Sequence, residues 1–400
     1  MKPENNRIKV CLILPCALPV PAVHGGAVEL LAHSISKYNE KFNLLDLCIV
    51  SIHDDKAVKE SEAYKNTSWI FIKKNLFDVI SDYLFRILRR LFRRSFLIST
   101  YDYKVLKRLK AMEFDRIIFE GGNILFMTKY QKYFPKKKLM FHLHYVERPD
   151  YDINRCAGSV ITISEYVKRV LLENSKLEPE NVYTLLNGIE IEKFAVSPSE
   201  EVCYFLKKRL GIRKGDFVLL FVGRIIEEKG VKELISSVLA LNDPSVKLIL
   251  AGQGASFHKG YRREIETLSK NAPEQIKLVG YIPNEQLYCY FGIADCFIMP
   301  SIGEEGAGLV QSEAYAAGKP AIVSNRGGIP EYRLEDASRM VEYDPDFVKN
   351  LKAGIVEMRK LVFDEKIDVQ RMREEVEKYS AERYYLNYVE VLRQEVLREG

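Results

Sequence analysis

The feature that most constrains this chain is an alternation of apolar, strand-length runs with helical stretches, which occurs twice. Continuous apolar strands joined by short crossover helices predict parallel sheets covered on both faces. The strand candidates are 8–14, 44–52, 116–120, 138–144, 159–163 and 182–186 in the first series, and 217–222, 247–251, 276–279, 296–299 and 321–324 in the second. The sequence therefore predicts an α/β protein with two doubly wound domains and a cleft between them.

Length and charge narrow the functional class. A chain of 400 residues suits two domains of about 200 residues each, and the polar joint at 194–216 separates the two series. The net charge is only +5, whereas dedicated nucleic-acid binders usually have a strongly basic domain. No apolar run approaches the 18–20 residues that a transmembrane helix needs. These features argue against a nucleic-acid partner and a membrane span.

The seven cysteines predict a reducing compartment. Their number is odd, no CxxC pair occurs, and most lie in apolar runs, so buried free thiols are favoured over disulfides or a zinc site. The apolar stretch 7–23 resembles a signal peptide, but three prolines interrupt it and Glu4 lies in what would be its basic region. A buried first strand is the favoured interpretation, and we expect a cytoplasmic protein.

The loop after strand 217–222 suits a diphosphate. It begins with Gly223 and carries Arg224 and Lys229 just before a helix. A helix N-terminus adds partial positive charge, which favours a phosphate group. An ordinary solvated loop remains the alternative.

The loop after strand 296–299 places two glutamates around a helix start. Glu305 precedes the turn and Glu313 follows it, while Gly306 and Gly308 leave backbone N–H groups open to an anion or a sugar oxygen. At about 1.5 Å per residue the two carboxylates would lie roughly 8–12 Å apart along a helix, which suits opposite ends of a nucleotide sugar. A helix cap followed by a surface glutamate is the alternative.

Several motifs resemble one enzyme family. GRIIEEKG, EEGAGLVQSE and AAGKPAIVSNRGGIPE in the second half, with GGAVELLAHSISK, VITISEYVKRVLL and LLNGIEIEKF upstream, are similar to the retaining nucleotide-sugar glycosyltransferases of the family-4 type. The resemblance covers nearly the whole chain and is weakest over 50–135. It implies the GT-B fold, two Rossmann-like doubly wound domains facing a central cleft. Residues 1–193 would bind the acceptor, 380–400 would pack back onto them, and 194–379 would bind the nucleotide sugar.

The resemblance also implies residue roles. Arg224 and Lys229 would hold the donor diphosphate, Glu305 the sugar hydroxyls and Glu313 the ribose hydroxyls. The backbone of Gly306, Ala307 and Gly308 would support the sugar, Leu309 and Val310 would lie on the phosphate side, Ile282 would border the nucleobase, and Gly25 and Gly26 would lie near the donor phosphate and the acceptor. The family often has an aromatic residue or proline around the position of Ala307, so the sugar stays open.

His144 matches the family histidine close to the anomeric carbon, so His144 and Glu305 are the expected catalytic residues. On a strand, His142 and His144 point to one face, which would suit a metal pair. No third ligand can be placed by spacing, so we expect no metal site. A structural histidine is the plainer alternative.

Two other nucleotide motifs fail. The third glycine of a dinucleotide fingerprint after Gly252 and Gly254 would be Phe257, and Gly318-Lys319 lacks the first glycine of a phosphate-binding loop.

The segment 84–94 reads LFRILRRLFRR and is basic on one helical face. Arg86, Arg89, Arg90, Arg93 and Arg94 share an arc of roughly 140° at about 100° per residue. Such a face suits an ordinary domain helix with a solvated side, a helix lying on anionic lipid or, as the least favoured interpretation, a nucleic-acid contact. We expect peripheral contact with the inner face of the cell membrane.

The expected function is transfer of a sugar, with retention, from a UDP-sugar to a glycan or lipid-linked acceptor in cell-surface polysaccharide assembly. The resemblance implies front-face attack without a cofactor or metal ion. A nucleotide-sugar epimerase of the same fold and a non-catalytic sugar-binding module are the alternatives.

Overall fold

The computed structural model describes residues 7–81, 100–122, 124–149, 152–254 and 259–398, in two compact units. Unit 1 comprises Met1–Gly188 with Ala381–Gly400, and unit 2 comprises Ile189–Ser380. The basic segment 84–94, with the proposed membrane face Arg86, Arg89, Arg90, Arg93 and Arg94, lies outside the described residues. Within the described residues, no helix combines the length and the apolar character needed to cross a membrane.

Unit 1 is built on a seven-stranded sheet. The strands are β1 (Ile8–Ile13), β2 (Leu45–Ile52), β3 (Thr67–Ile72), β4 (Arg116–Glu120), β5 (Leu139–Leu143), β6 (Ser159–Thr162) and β7 (Val182–Thr184). Their order is β3-β2-β1-β4-β5-β6-β7, and neighbours run parallel. Its helices are α1 (Ala27–Phe42), α2 (Asp55–Ser61), α3 (Thr100–Leu109), α4 (Met127–Tyr130), α5 (Glu165–Glu173) and α14 (Ala381–Leu397).

Unit 2 is built on a six-stranded sheet. The strands are β8 (Phe217–Val222), β9 (Val246–Ala251), β10 (Ile276–Gly280), β11 (Cys296–Met299), β12 (Ala321–Ser324) and β13 (Ser338–Val341). Their order is β10-β9-β8-β11-β12-β13, again parallel. Its helices are α6 (Ile191–Ala195), α7 (Glu200–Leu210), α8 (Val231–Leu239), α9 (Lys259–Asn271), α10 (Asn284–Ile293), α11 (Leu309–Ala316), α12 (Phe347–Phe363) and α13 (Val369–Val376).

The two doubly wound parallel sheets confirm the predicted fold class. The predicted strands are present within one or two residues at each end, and α5 begins as expected because the Ser164 hydroxyl accepts a hydrogen bond from the Val167 N–H over 3.2 Å. Two strands were missed. β3 lies in the stretch where the motifs are weakest, and β13 is a short edge strand with Arg339 in its middle, which leaves little apolar pattern to detect.

Helix α14 belongs to the core of unit 1 although it ends the chain. It packs against α1, and its fully buried Tyr385 donates a hydrogen bond to Asn39 Oδ1 over 2.7 Å. Leu392 has no exposed surface. The core of unit 1 therefore joins residues from the two ends of the chain.

We predict that Leu392→Ala lowers the free energy of unfolding of unit 1 by about 2–5 kcal/mol, because it removes a buried side chain and leaves a cavity. Urea titration followed by tryptophan fluorescence measures this, because the chain's one tryptophan, Trp69, lies in β3 of unit 1. The matched control is Leu397→Ala in the same helix. Leu397 is 78% exposed, so its loss should change stability by less than about 0.5 kcal/mol. Equal unfolding midpoints for the two variants would contradict the packing of α14.

Candidate functional site

The sheet of unit 2 creates a crevice between the ends of β8 and β11. These strands are neighbours, but the chain continues from β8 towards β9 and β10 on one side and from β11 towards β12 and β13 on the other. Loops that diverge at the carboxyl ends of parallel strands leave room for a ligand. The two loops singled out from the sequence follow β8 and β11.

The backbones of these two loops are in direct contact. The N–H groups of Ile302 and Gly303 both donate to the Glu228 carbonyl over 2.9 Å. Gly230, which precedes α8, has φ of 64°, and a Cβ placed there would lie 2.0 Å from the Pro300 carbonyl oxygen. A residue with a side chain at position 230 would therefore force the loops apart.

This contact brings two predicted side chains together. The Lys229 ammonium donates to Glu305 Oε1 over 2.5 Å, and both side chains are about four-fifths buried. The buried Ser301 hydroxyl donates to the same oxygen over 2.7 Å. The Glu305 backbone is also held, since its carbonyl accepts from the Gly328 N–H over 2.7 Å. Glu305 is thus fixed in place, and Ser301 is a site residue that the sequence analysis missed.

A cavity of about 350 Å³ lies beside the loop that follows β8, and both Arg224 and Ile282 line it. It is also lined by Gly223, Gly252 and Tyr281. A Cβ on Gly252 would lie 1.7 Å from the Gly223 carbonyl oxygen. Glycine at position 252 therefore allows the backbones of these two residues to lie close together. The Arg224 side chain is exposed and makes no ion pair within the part of the chain that the structure describes. A cation beside a largely apolar cavity suits a ligand with a flat ring and an anionic group.

Helix α11 starts at Leu309, which confirms the start of the helix that the sequence predicts over 309–317. Gly308 is its N-cap, and Leu309 and Val310 are its first two residues. Glu305, Gly306 and Ala307 lie in the loop before it. Glu313 is therefore only about one turn inside the helix, and the predicted spacing of 8–12 Å along one helix axis does not apply.

Glu313 differs electrostatically from Glu305. Burial raises the pKa of Glu313 to about 8, and the positive charge of Lys193 in α6 offsets only part of that effect. Glu305 has an ammonium in contact, whereas Glu313 has only a distant one. The Glu313 carboxyl is therefore mostly protonated at neutral pH in the free chain.

In unit 1 the predicted Gly25 and Gly26 form the turn before α1, with φ of 76° and 96°. The Glu29 carboxylate folds back beneath this turn, and a Cβ on Gly26 would lie 2.1 Å from Glu29 Oε2. Burial raises the pKa of Glu29, while hydrogen bonds from the backbone N–H groups of Glu29 and Leu18 oppose the rise. The turn thus requires glycine at position 26.

His144 lies in a buried cluster at the ends of β4 and β5. Glu120 Oε2 accepts a hydrogen bond from His142 Nδ1 and another from His144 Nε2, both over 2.9 Å. The Tyr388 hydroxyl of α14 donates to Oε1 over 3.3 Å. Glu120, His142 and His144 offer three atoms within 4.8 Å of one another, a set that could hold a metal ion. Spacing along the sequence could not place this third group, because β4 supplies Glu120 from a distant part of the chain. The absence of a metal ion stays a prediction.

Comparison with known proteins finds relatives among the glycosyltransferases. Residues 205–380 match the family described as glycosyl transferases group 1. The chain is 25% identical to the Bacillus subtilis protein YtcC over 351 residues, which are 84% of this chain and 79% of that protein. It is also 30% identical to the lipopolysaccharide 1,2-N-acetylglucosaminetransferase of Salmonella typhimurium. This match extends over 207 residues, which are 50% of this chain and 52% of that enzyme.

Among solved structures, the fold is similar to that of Anabaena Alr3699/HepE in complex with UDP and glucose, with a TM-score of 0.72. The two share 18% identity, over 97% of this chain and all of that one, so the likeness concerns the fold. Together these comparisons show the GT-B fold and relate residues 205–380 to the group 1 glycosyltransferases.

Proposed function

We propose that this chain, whose residues 205–380 match the group 1 glycosyltransferases, transfers a sugar from a UDP-sugar to a glycan or lipid-linked acceptor with retention at the anomeric carbon. The observation that carries the proposal is the Lys229–Glu305 pair at the crevice of unit 2. It places a cation for phosphate oxygens next to a carboxylate for sugar hydroxyls. The Salmonella relative is named for a transfer in lipopolysaccharide synthesis, which supports a role in cell-surface polysaccharide assembly.

The nucleotide would occupy the cavity between the β8, β9 and β10 loops. Ile282 and Tyr281 offer surface to a base, and Arg224 at the same cavity offers charge to the diphosphate. Glu313 would accept hydrogen bonds from both ribose hydroxyls. A fold neighbour has been solved with UDP and glucose, which supports UDP over other nucleotides.

Lys229, Arg224 and the N-terminus of α8 would stabilise the leaving diphosphate. Fixed positive groups that face developing negative charge lower a barrier without reorganising during the reaction. The bond from the anomeric carbon to the phosphate oxygen breaks, the acceptor oxygen bonds to that carbon on the same face, and the acceptor proton passes to the departing phosphate. Two cations and a helix end supply the charge here, so the proposal includes no metal ion.

Glu305 would orient the sugar through its hydroxyls. Its Oε1 is already occupied by Lys229 and Ser301, so Oε2 is the oxygen available to the sugar. The backbone of Gly306, Ala307 and Gly308, with Leu309 and Val310 at the start of α11, would complete the donor site. Gly25, Gly26 and His144, which lie in unit 1, stay predictions of the family resemblance.

A lipid-linked acceptor would have to be met at a membrane, and we place the enzyme at the cytoplasmic face. The described residues just before the basic segment 84–94 expose an apolar patch: Leu76, Phe77, Val79 and Ile80 are 50–75% exposed. Contiguous exposed apolar side chains next to a run of arginines suit an anionic lipid surface.

The donor assignment predicts different defects for the two glutamates. Glu313→Gln should weaken binding of free UDP by roughly 10- to 150-fold, the value of about 1.5–3 kcal/mol for a hydrogen bond to a charged group. Glu305→Gln should leave UDP affinity nearly unchanged and lower turnover of the intact UDP-sugar. Calorimetric titration with UDP at about pH 9, where Glu313 is ionised, and UDP release from a panel of UDP-sugars measure both effects.

The matched control is Glu304→Gln, which removes an exposed carboxylate from the same loop and should change neither quantity. Release should require a lipid-linked or glycan acceptor and should persist in EDTA. If no UDP-sugar is turned over with any acceptor, the proposed function is wrong. If Glu305→Gln weakens free UDP as much as Glu313→Gln does, only the placement of the two carboxylates is wrong.

The raised pKa of Glu313 predicts a pH dependence. A carboxylate accepts both ribose hydroxyls, whereas a protonated carboxyl loses part of that capacity. With a pKa of about 8, UDP affinity should rise roughly tenfold between about pH 7 and about pH 9, as the ionised fraction increases. UDP titrations across this interval measure the rise, and Glu313→Gln should abolish it. An identical slope in the variant would assign the dependence to another group.

The membrane assignment predicts a salt-sensitive association. Replacing Arg86, Arg89, Arg90, Arg93 and Arg94 with Gln should reduce co-sedimentation with anionic vesicles, since each basic residue near such a surface contributes about 1 kcal/mol. Leu76→Asn with Phe77→Asn should also reduce it. The control replaces five exposed lysines of unit 2, Lys207, Lys208, Lys214, Lys270 and Lys349. Equal sedimentation of wild type and all variants at low salt would refute the membrane assignment.

A further inference from the structure

We propose that Glu120 is a positioning residue that holds His144 in one neutral tautomer, with the proton on Nε2 and a free lone pair on Nδ1 for a hydroxyl of the sugar or acceptor. The inference deepens the proposed function and rests on it for the identity of the ligand. The arrangement of Glu120 and His144 itself follows from the fold of unit 1.

Strand pairing places the two groups together. β4 and β5 are parallel neighbours, with Glu120 in register with His142, and β4 adjoins β1 at the point where the strand order of unit 1 reverses. Side chains two residues apart on a strand share a face, so His144 meets the same carboxylate as His142. His144 comes after the last residue of β5, at the carboxyl edge where ligands bind in such sheets.

The hydrogen bonds fix the protons. An ionised carboxylate only accepts hydrogen bonds, so the nitrogens that face Glu120 Oε2 at 2.9 Å are both N–H groups. Burial alone would raise the pKa of Glu120, but the two imidazoles outweigh it and hold that pKa well below its ordinary value. Burial and the neighbouring His142 lower the pKa of His144 to about 4. His144 is therefore neutral at physiological pH.

The remaining nitrogen of His144 then carries a lone pair. Nδ1 is buried and has no hydrogen-bond partner among the described residues. A buried acceptor without a donor is unfavourable, and a ligand hydroxyl would supply one. Glu120 thus determines that His144 accepts a hydrogen bond at this atom. With the opposite tautomer, Nδ1 would donate.

The same three side chains could instead hold a metal ion, and the test must separate the two cases. Two features favour the hydrogen-bonded form. Both contacts are of ordinary hydrogen-bond length, and the Tyr388 hydroxyl adds a third donor to the carboxylate. A metal ion at this position would displace both ring protons, so the two arrangements differ in a measurable property.

Nitrogen-15 NMR of histidine-labelled protein reads the tautomer directly. The chain has six histidines, and His144→Gln identifies the signals of His144. The wild type should show His144 with the proton on Nε2. Glu120→Gln replaces an acceptor with an amide that can donate to Nε2, so the proton should move to Nδ1. This readout needs no substrate, and its result is independent of whether the proposed function holds.

Kinetics supply the second readout. Glu120→Gln should lower kcat by about 100-fold, the smaller end of what a correctly protonated catalytic group contributes, with unchanged affinity for free UDP. The matched control is Glu395→Gln, which alters another buried glutamate of unit 1 whose carboxylate accepts from Tyr183. It should retain activity and the His144 tautomer. A merely structural role for Glu120 would lower activity without moving the His144 proton.

Three results would overturn the proposal. One is a wild-type His144 with its proton on Nδ1 or on both nitrogens. Another is a folded Glu120→Gln protein with unchanged tautomer and kcat. The third is one equivalent of a divalent metal in the purified protein that shifts both histidine spectra when EDTA removes it. If Glu120→Gln does not fold, the wild-type spectrum and the metal content still decide the question.

Discussion

The parallel pairing of β8 with β11 is the constraint on which the candidate site of unit 2 depends. The register places Leu219 opposite Cys296, so both strands end at one edge of the sheet. Since their crossovers leave in opposite directions, the following loops meet only near the strand ends. That meeting brings Lys229 to Glu305 across 76 positions of sequence. Gly230 makes the approach possible, because any larger residue would collide with the Pro300 carbonyl.

Three of the buried or partly buried carboxyl groups at the candidate sites have three different surroundings. Glu305 has an ammonium and a hydroxyl in contact. Glu120 has two imidazole N–H groups and a phenol. Glu313 has only a distant lysine, so burial dominates and its pKa rises. A buried charge is tolerated to the degree that donors surround it. Glu120 and Glu305 are therefore each held by fixed hydrogen-bond donors, whereas Glu313 needs a ligand with hydroxyl donors.

What the sequence could predict follows from the range of each interaction. Apolar periodicity is local, so the doubly wound sheets and the loops with Arg224, Lys229 and Glu305 could be predicted from it and from the motifs. The role of Ser301 could not be predicted, because a single serine in a loop belongs to no recognisable motif. Its role depends on the conformation of the Glu305 side chain, which accepts its hydrogen bond. Glu120 could not be paired with His144, because 24 residues and a crossover separate them.

The last helix of the chain shows why stability and chemistry are coupled in unit 1. Tyr385 and Leu392 of α14 pack into the core beside α1. Tyr388, about one turn after Tyr385, donates a hydrogen bond to Glu120, which lies 268 positions earlier in the sequence. A helix docked by apolar burial has little freedom to move its polar side chains, because packed interiors resist small displacements. The phenol at the Glu120 carboxylate is thus positioned by the same contacts that close the core. It follows that the third donor of this network, the Tyr388 hydroxyl, reaches Glu120 only when the C-terminal helix is docked on unit 1.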